Sequence, residues 1–191
     1  MNPYITTSLF DLFKIGPGPS SSHTIGPMKA GYHFLQECTG LSRDILVRAH
    51  RVRVRLLGSL SATGAGHGTD VAVLAGILGI SPENCPPGLL ESLAAEPDRE
   101  HAVDLGKGRA FIGLKDVEHG PVIHDYPYSN TLVVELIDQS GQILHEKEYY
   151  SVGGGFVQWK GWEAPVLGEP VHKYRNMTEL RSIVREKGLN L

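Results

Sequence analysis

Residues 49–57 read Ala-His-Arg-Val-Arg-Val-Arg-Leu-Leu, and this alternation decides the fold class. Val52, Val54 and Leu56 fall on one side of an extended chain and Arg51, Arg53 and Arg55 on the other. That is the two-residue period of a strand with one buried face. The next stretch, Gly58 to Gly68, is rich in small and polar residues and is expected to form a loop. Thr69 or Asp70 can then cap an apolar helix, Val-Ala-Val-Leu-Ala-Gly-Ile-Leu, stopped at Gly79. A helix apolar on every side has to be buried.

Towards the N-terminus, Ser8 precedes Leu9, Phe10, Leu12 and Phe13 and can cap a short helix ending at Gly16. Gly16 to Ser22, Gly-Pro-Gly-Pro-Ser-Ser-Ser, is a loop of fixed shape, because its prolines lack N–H donors. Ile25, Met28, Phe34 and Leu35 suit a packed helix to about Gly40. Towards the C-terminus, Ser81 to Pro87 is a breaker, Leu89 to Ala95 reads as helix and Ala102 to Lys115 as extended. Thr131 to Asp138 and Gln142 to Val152 flank a turn at Gln139 to Gly141, the pattern of a β-hairpin ended by Gly153 to Gly155. Trp159 to Arg175 reads as a linker, and Asn176 with Glu179 forms a capping-box variant opening a helix over Leu180 to Lys187. The expected architecture is an α+β sandwich, a mixed or antiparallel sheet with helices packed on it.

A chain of 191 residues with 41% hydrophobic and 20% charged residues predicts one principal soluble domain. A net charge of −3 leaves no excess of Lys and Arg for phosphate backbones or anionic lipid, so neither nucleic acid nor membrane is an expected partner. No apolar run approaches the roughly 20 residues of a membrane span, and the first ten residues lack a signal-peptide pattern, so a cytoplasmic protein is expected. Cys38 and Cys85 match no paired metal-ligand spacing, and two thiols fall short of the three or four that an iron-sulfur cluster takes.

Four segments could carry chemistry. Ser20, Ser21, Ser22, His23 and Thr24 offer hydroxyls, an imidazole and the free amides of a helix start, a set suited to an anion or equally to capping the helix. Ser59 to Asp70, with Gly66, His67, Gly68, Thr69 and Asp70 as its site candidates, lies between strand and buried helix, where ligand loops sit. His67 has small neighbours and can exchange protons near neutral pH, although a histidine bonded to nearby backbone reads the same way. The loop lacks the third glycine of a dinucleotide fingerprint and the Lys of a P-loop. His124 and Asn130 bound a polar loop before the hairpin, and Ser151 to Phe156 contains three glycines that permit close backbone approach. No His-x-x-x-His pair with an acid points to zinc, and no metal ligand is expected.

The opening Ser-Leu-Phe-Asp-Leu-Phe-Lys-Ile-Gly-Pro-Gly-Pro-Ser-Ser-Ser-His-Thr-Ile-Gly-Pro (residues 8–27), with Gly64 to Asp70 and Ser151 to Phe156, resembles the β domain of iron-sulfur-dependent bacterial L-serine dehydratases. The resemblance implies β-elimination of water from L-serine, giving pyruvate and ammonia, with a [4Fe–4S] cluster acting on the serine hydroxyl. It also implies that residues 1–160 are the β domain and that 161–191 lead to a catalytic α domain holding the cluster cysteines. The chain would be a piece of the longer enzyme or the separate subunit of a two-chain version, inactive alone, with His67 its first choice for proton transfer. A homodimer is expected. The same domain type resembles the allosteric substrate-binding domain of phosphoglycerate dehydrogenases, which leaves open a regulatory anion- or serine-binding module.

Overall fold

A computed structural model of the protein describes residues 13–18, 20–163 and 170–189. A π-helical turn, Ser21–Ile25, runs into α1 (Gly26–Thr39), followed by α2 (Arg43–Leu46), β1 (Ala49–Gly58), α3 (Ser59–His67), α4 (Thr69–Ile77) and α5 (Leu89–Ala95). Six strands follow: β2 (His101–Asp104), β3 (Arg109–Ile112), β4 (Val117–His119), β5 (Asn130–Asp138), β6 (Ile143–Ser151) and β7 (Val157–Trp159). Lys14–Trp162 forms one compact unit. A second unit, Met1–Phe13 with Glu163–Leu191, contains α6 (Met177–Glu186).

The seven strands form one mixed sheet, in the order β2-β3-β1-β5-β6-β7. β1 is antiparallel to β5 and parallel to β3 and β4. Arg51 lies opposite Phe111 and Val54 opposite Val117, so β3 and β4 line the same side of β1 in succession. The α+β class is as the alternation predicts. Val52, Val54 and Leu56 of β1, Leu132, Val134 and Leu136 of β5, and Tyr149 of β6 enter a single core with Met28, Phe34, Leu60, Leu93 and the apolar side chains of α4. β1 and β5 are the two central strands of the sheet that backs this core.

α1 and α4 approach closely because each presents a glycine to the other's backbone. A Cβ on Gly31 would stand 2.5 Å from the Val73 carbonyl oxygen, and one on Gly76 only 2.1 Å from that of Met28. The opposite sheet face is mixed, with Leu57, Val133, Ile137 and Tyr150 among its charged residues. There Arg53 and Arg55 both pair with the buried Glu135, and Arg51 pairs with Asp116 and Glu100.

Several elements differ from expectation. The predicted loop over Gly58 to Gly68 is helix α3, whose Leu60 and Gly64 alone are buried, so no apolar period announces it. Gly58 enters it at φ 59°, ψ −129°, and Gly68 leaves it in the left-handed region at φ 63°, both conformations that favour glycine. Gly68, not Thr69 or Asp70, is the N-cap of α4. Ser21 and Ser22 belong to the π-helical turn rather than to the loop before it. The extended stretch after Ala102 is a hairpin, and the short β7, for which no strand is expected, ends at Trp159, the first residue of the expected linker. The helix expected after Ser8 lies outside the described residues as far as residue 12, and 13–16 take no regular structure. The C-terminal helix has its Asn176 cap, which accepts from the Glu179 amide at 3.0 Å.

Gly76→Ala should cost about 1–3 kcal/mol in urea denaturation, because backbone cannot yield as a side chain does. Gly66→Ala, which meets nothing within 4 Å, should be neutral or slightly stabilising in the same assay.

Candidate functional site

Two threonines hold the site together. The Thr24 hydroxyl donates to the His67 carbonyl at 3.0 Å, and the Thr69 hydroxyl donates to the His23 carbonyl at 2.6 Å. Both threonines are fully buried, so this reciprocal pair satisfies hydroxyls that would otherwise be desolvated without a partner. It brings the imidazoles of His23 and His67 to a centroid separation of 5.1 Å.

The two rings are held in different ways. His67 Nδ1 lies 2.9 Å from the Thr63 carbonyl, which can only accept, so Nδ1 carries the proton and Nε2 the lone pair of the neutral ring. His67 also lines a cleft of about 600 Å³ walled by Gly16, Pro17 and Gly18, by Pro82, Glu83 and Cys85, and by Glu91 of α5. His23 is tied at both nitrogens: Nε2 meets the Ser59 carbonyl at 3.3 Å and its hydroxyl at 3.0 Å, and Nδ1 meets the Ser22 hydroxyl at 3.1 Å. Burial lowers the pKa of His23, the Ser59 carbonyl partly offsets this, and the neighbouring His67 adds to the lowering.

All four sequence-selected segments meet here. Ser151 donates through its hydroxyl to the Ser22 carbonyl at 2.7 Å, and Asn130 donates through its amide to the Ser151 carbonyl at 3.2 Å. The Ser59 amide donates to the Ser129 carbonyl at 2.9 Å, joining α3 to the loop of His124. Ser20 caps the π-helical turn by accepting from the His23 amide at 3.2 Å, and Ser21 is half-buried beside it. Asp70 accepts from the Val71 amide at 2.9 Å, Gly68 lines the large cleft, and Gly66 is exposed on α3. None of Ser20 to Thr24 lines that cleft.

His124 opens a second cleft, of about 440 Å³, shared with Arg55, Leu57 and Tyr126. Its Nδ1 accepts from the Tyr126 amide at 3.1 Å, which leaves the proton on Nε2. That Nε2 and the Nε of Arg55 are both shielded from solvent and meet no acceptor among the described residues. A Cβ on Gly58 would stand 2.6 Å from His124 Nε2, so glycine there makes room for the ring. Gly58, Ser59, Thr63 and Arg55 are not among the residues selected from the sequence for a site role, although Ser59 and Thr63 lie in the same strand-to-helix stretch as His67. Only the glycine at the strand end could have signalled one of them.

The family model described as serine dehydratase beta chain matches residues 8–162. The L-serine dehydratase of Streptomyces coelicolor is 38% identical over 96% of this chain and 42% of its own length. L-serine dehydratase 1 of Escherichia coli K12 is 33% identical over 96% of the chain and 41% of its own length. The L-serine dehydratase of a Helicobacter pylori strain is 39% identical over 78% of the chain and 32% of its own length. The chain thus spans about two fifths of the first two relatives.

Thr69→Val should destabilise by about 1–3 kcal/mol in urea denaturation, with Thr69→Ser closer to the parent. His23 adds a pH dependence. Its folded pKa is below the unfolded value near 6.5, so unfolding takes up a proton as pH falls. The stability that neutral His23 contributes is complete above about pH 6.5 and declines below it. His23→Gln should show the shallower decline, and equal slopes would contradict this assignment.

Proposed function

This chain belongs to the serine dehydratase beta chain family, and from that premise we propose that it is the β domain of an L-serine dehydratase, in which His67 takes the α-proton of L-serine. The observation that carries the reading is the bond between His67 Nδ1 and the Thr63 carbonyl, which leaves Nε2 free at the cleft. In the proposed elimination the Cα proton moves to Nε2, the C–H electron pair becomes the Cα–Cβ double bond, and the Cβ–O pair departs with the hydroxyl. The resulting aminoacrylate hydrolyses to pyruvate and ammonia. His67 sits in the last turn of α3.

The departing hydroxyl needs an electrophile. This chain's residues do not fit a [4Fe–4S] cluster. Cys38 lies in the core, where burial pushes its thiol up to about 12, and burial also raises Cys85. No group of three or more His, Cys, Asp or Glu among the described residues could hold a metal ion. The cluster is therefore proposed to belong to an α domain outside this chain, with the assembled enzyme in the cytoplasm. In the full-length holoenzyme His67→Ala should lower kcat/KM by about 10²–10⁴, with the loss mainly in kcat. Turnover within twofold of the parent would remove His67 from the chemistry.

A second reading, a regulatory module for a carboxylate or other small anion, is favoured by one observation: the shielded, unpaired donors of Arg55 and His124 share a cleft. Under this reading His124→Ala changes the dependence of rate on serine concentration while the maximal rate stays near that of the parent. A loss confined to maximal rate would count against it.

A further inference from the structure

The surroundings of His23 are those of a neutral ring. Its Nε2 faces the Ser59 carbonyl at 3.3 Å, which can only accept, so Nε2 carries the proton and shares it with the Ser59 hydroxyl at 3.0 Å. Nδ1 then accepts from the Ser22 hydroxyl at 3.1 Å. Both nitrogens of the uncharged imidazole are thereby used, and a second ring proton would meet a hydroxyl that is already donating. Ser59, Thr63 and His67 stand one turn apart along α3. The Thr63 hydroxyl donates to the Ser59 carbonyl at 3.0 Å, and the Thr63 carbonyl accepts from His67 Nδ1 at 2.9 Å. His23 thus fastens the head of the column whose foot carries His67, and the two rings meet at a centroid separation of 5.1 Å with 43° between their planes.

Resting on the reading of His67 as the base, we propose that His23 is its positioning residue and that the site works only while both imidazoles are neutral. His23 lines neither cleft, so it acts through His67 and not on the substrate. An imidazolium at His23 opposes the positive charge that His67 acquires when it takes the α-proton, so protonating His23 disables the base without touching it. The same repulsion is felt in reverse: burial lowers the pKa of His23 first, and His67 lowers it further. Two such groups titrate as a pair, in macroscopic steps that belong to both. The titratable groups on the surrounding elements are Asp70 of α4, Glu83 and Cys85 before α5, Glu91 of α5, His119 of β4 and His124 in the loop before β5. Glu83 pairs with Lys29 of α1 at 3.5 Å, and Asp70 accepts from the Val71 amide. Among the described residues no carboxylate bonds either ring, so neither imidazolium has a counter-ion to share.

The test is the acid limb of kcat/KM in the full-length holoenzyme, which reports groups of the free enzyme. On logarithmic axes the parent should fall with a slope steeper than one, since two protonations shut the site. His23→Gln keeps a donor for the Ser59 carbonyl but takes up no proton. At the pH optimum it should retain kcat within about tenfold of the parent with KM nearly unchanged, and its acid limb should fall with a slope of one. His23→Ala, checked for folding by circular dichroism, lacks that donor and should lose more kcat than His23→Gln. Imidazole NMR titration of full-length His67→Gln reads the coupling without turnover and should show the His23 midpoint raised. A parent slope of one, a His23→Gln slope equal to the parent's, or an unmoved His23 midpoint would each overturn the proposal while His67 remains the base. Parent-like turnover by His67→Ala instead removes the base itself, and this role of His23 with it.

Discussion

The pair of buried hydroxyls on Thr24 and Thr69 is the constraint on which the candidate site depends. A helix end leaves carbonyls without intrahelical partners, and α3 ends at His67, whose carbonyl is one of them. Thr24 supplies the missing donor from the turn before α1, and Thr69 supplies one from the start of α4 to the His23 carbonyl. Each histidine is thereby held through its own backbone by the threonine that follows the other. The helices are in turn locked by the close crossing at Gly31 and Gly76. Tying the backbones instead of the rings leaves the imidazoles to be oriented separately, by Ser22 and Ser59 for His23 and by Thr63 for His67.

The parts of this arrangement that depend on periodicity were legible in the sequence. Alternation over 49–57 located β1, a turn with Gly141 located the β5–β6 hairpin, and an unbroken apolar run located α4. α3 escaped because Ser-Leu-Ser-Ala-Thr-Gly-Ala-Gly-His has almost nothing to bury and is held by its ends and by Ser61, which donates to the Gly120 carbonyl at 2.6 Å. β4 and β7 are three residues each, too short to show a period, and their pairing comes from the neighbours they complete. At the site, composition brought forward all four segments that converge. It could not say which donors are spent internally. The hydroxyls of Ser20, Ser22, Thr24 and Thr69 all have partners inside the protein, and only coordinates reveal where a hydroxyl points.

The same geometry separates His67 from five of the other eight histidines in the sequence. A general base needs one nitrogen anchored as a donor, so that the other keeps its lone pair, and that lone pair must reach a space a substrate can enter. His23 has both nitrogens engaged. His33 bonds Tyr149 at 2.9 Å and stacks on Trp159 at 4.3 Å, and burial lowers its pKa. His145 stacks on Phe34 and faces Glu37, whose carboxylate is also held by Lys147. His124 has the reverse tautomer, offering a donor where a base needs an acceptor. His119 has the right kind of anchor, the Ser61 carbonyl at 3.2 Å, yet lines neither cleft. His67 alone among these combines a carbonyl anchor, a bare Nε2 and a cleft. The distinction rests on which atom each neighbour presents, since a carbonyl can only accept whereas a hydroxyl or an amide can set the opposite tautomer.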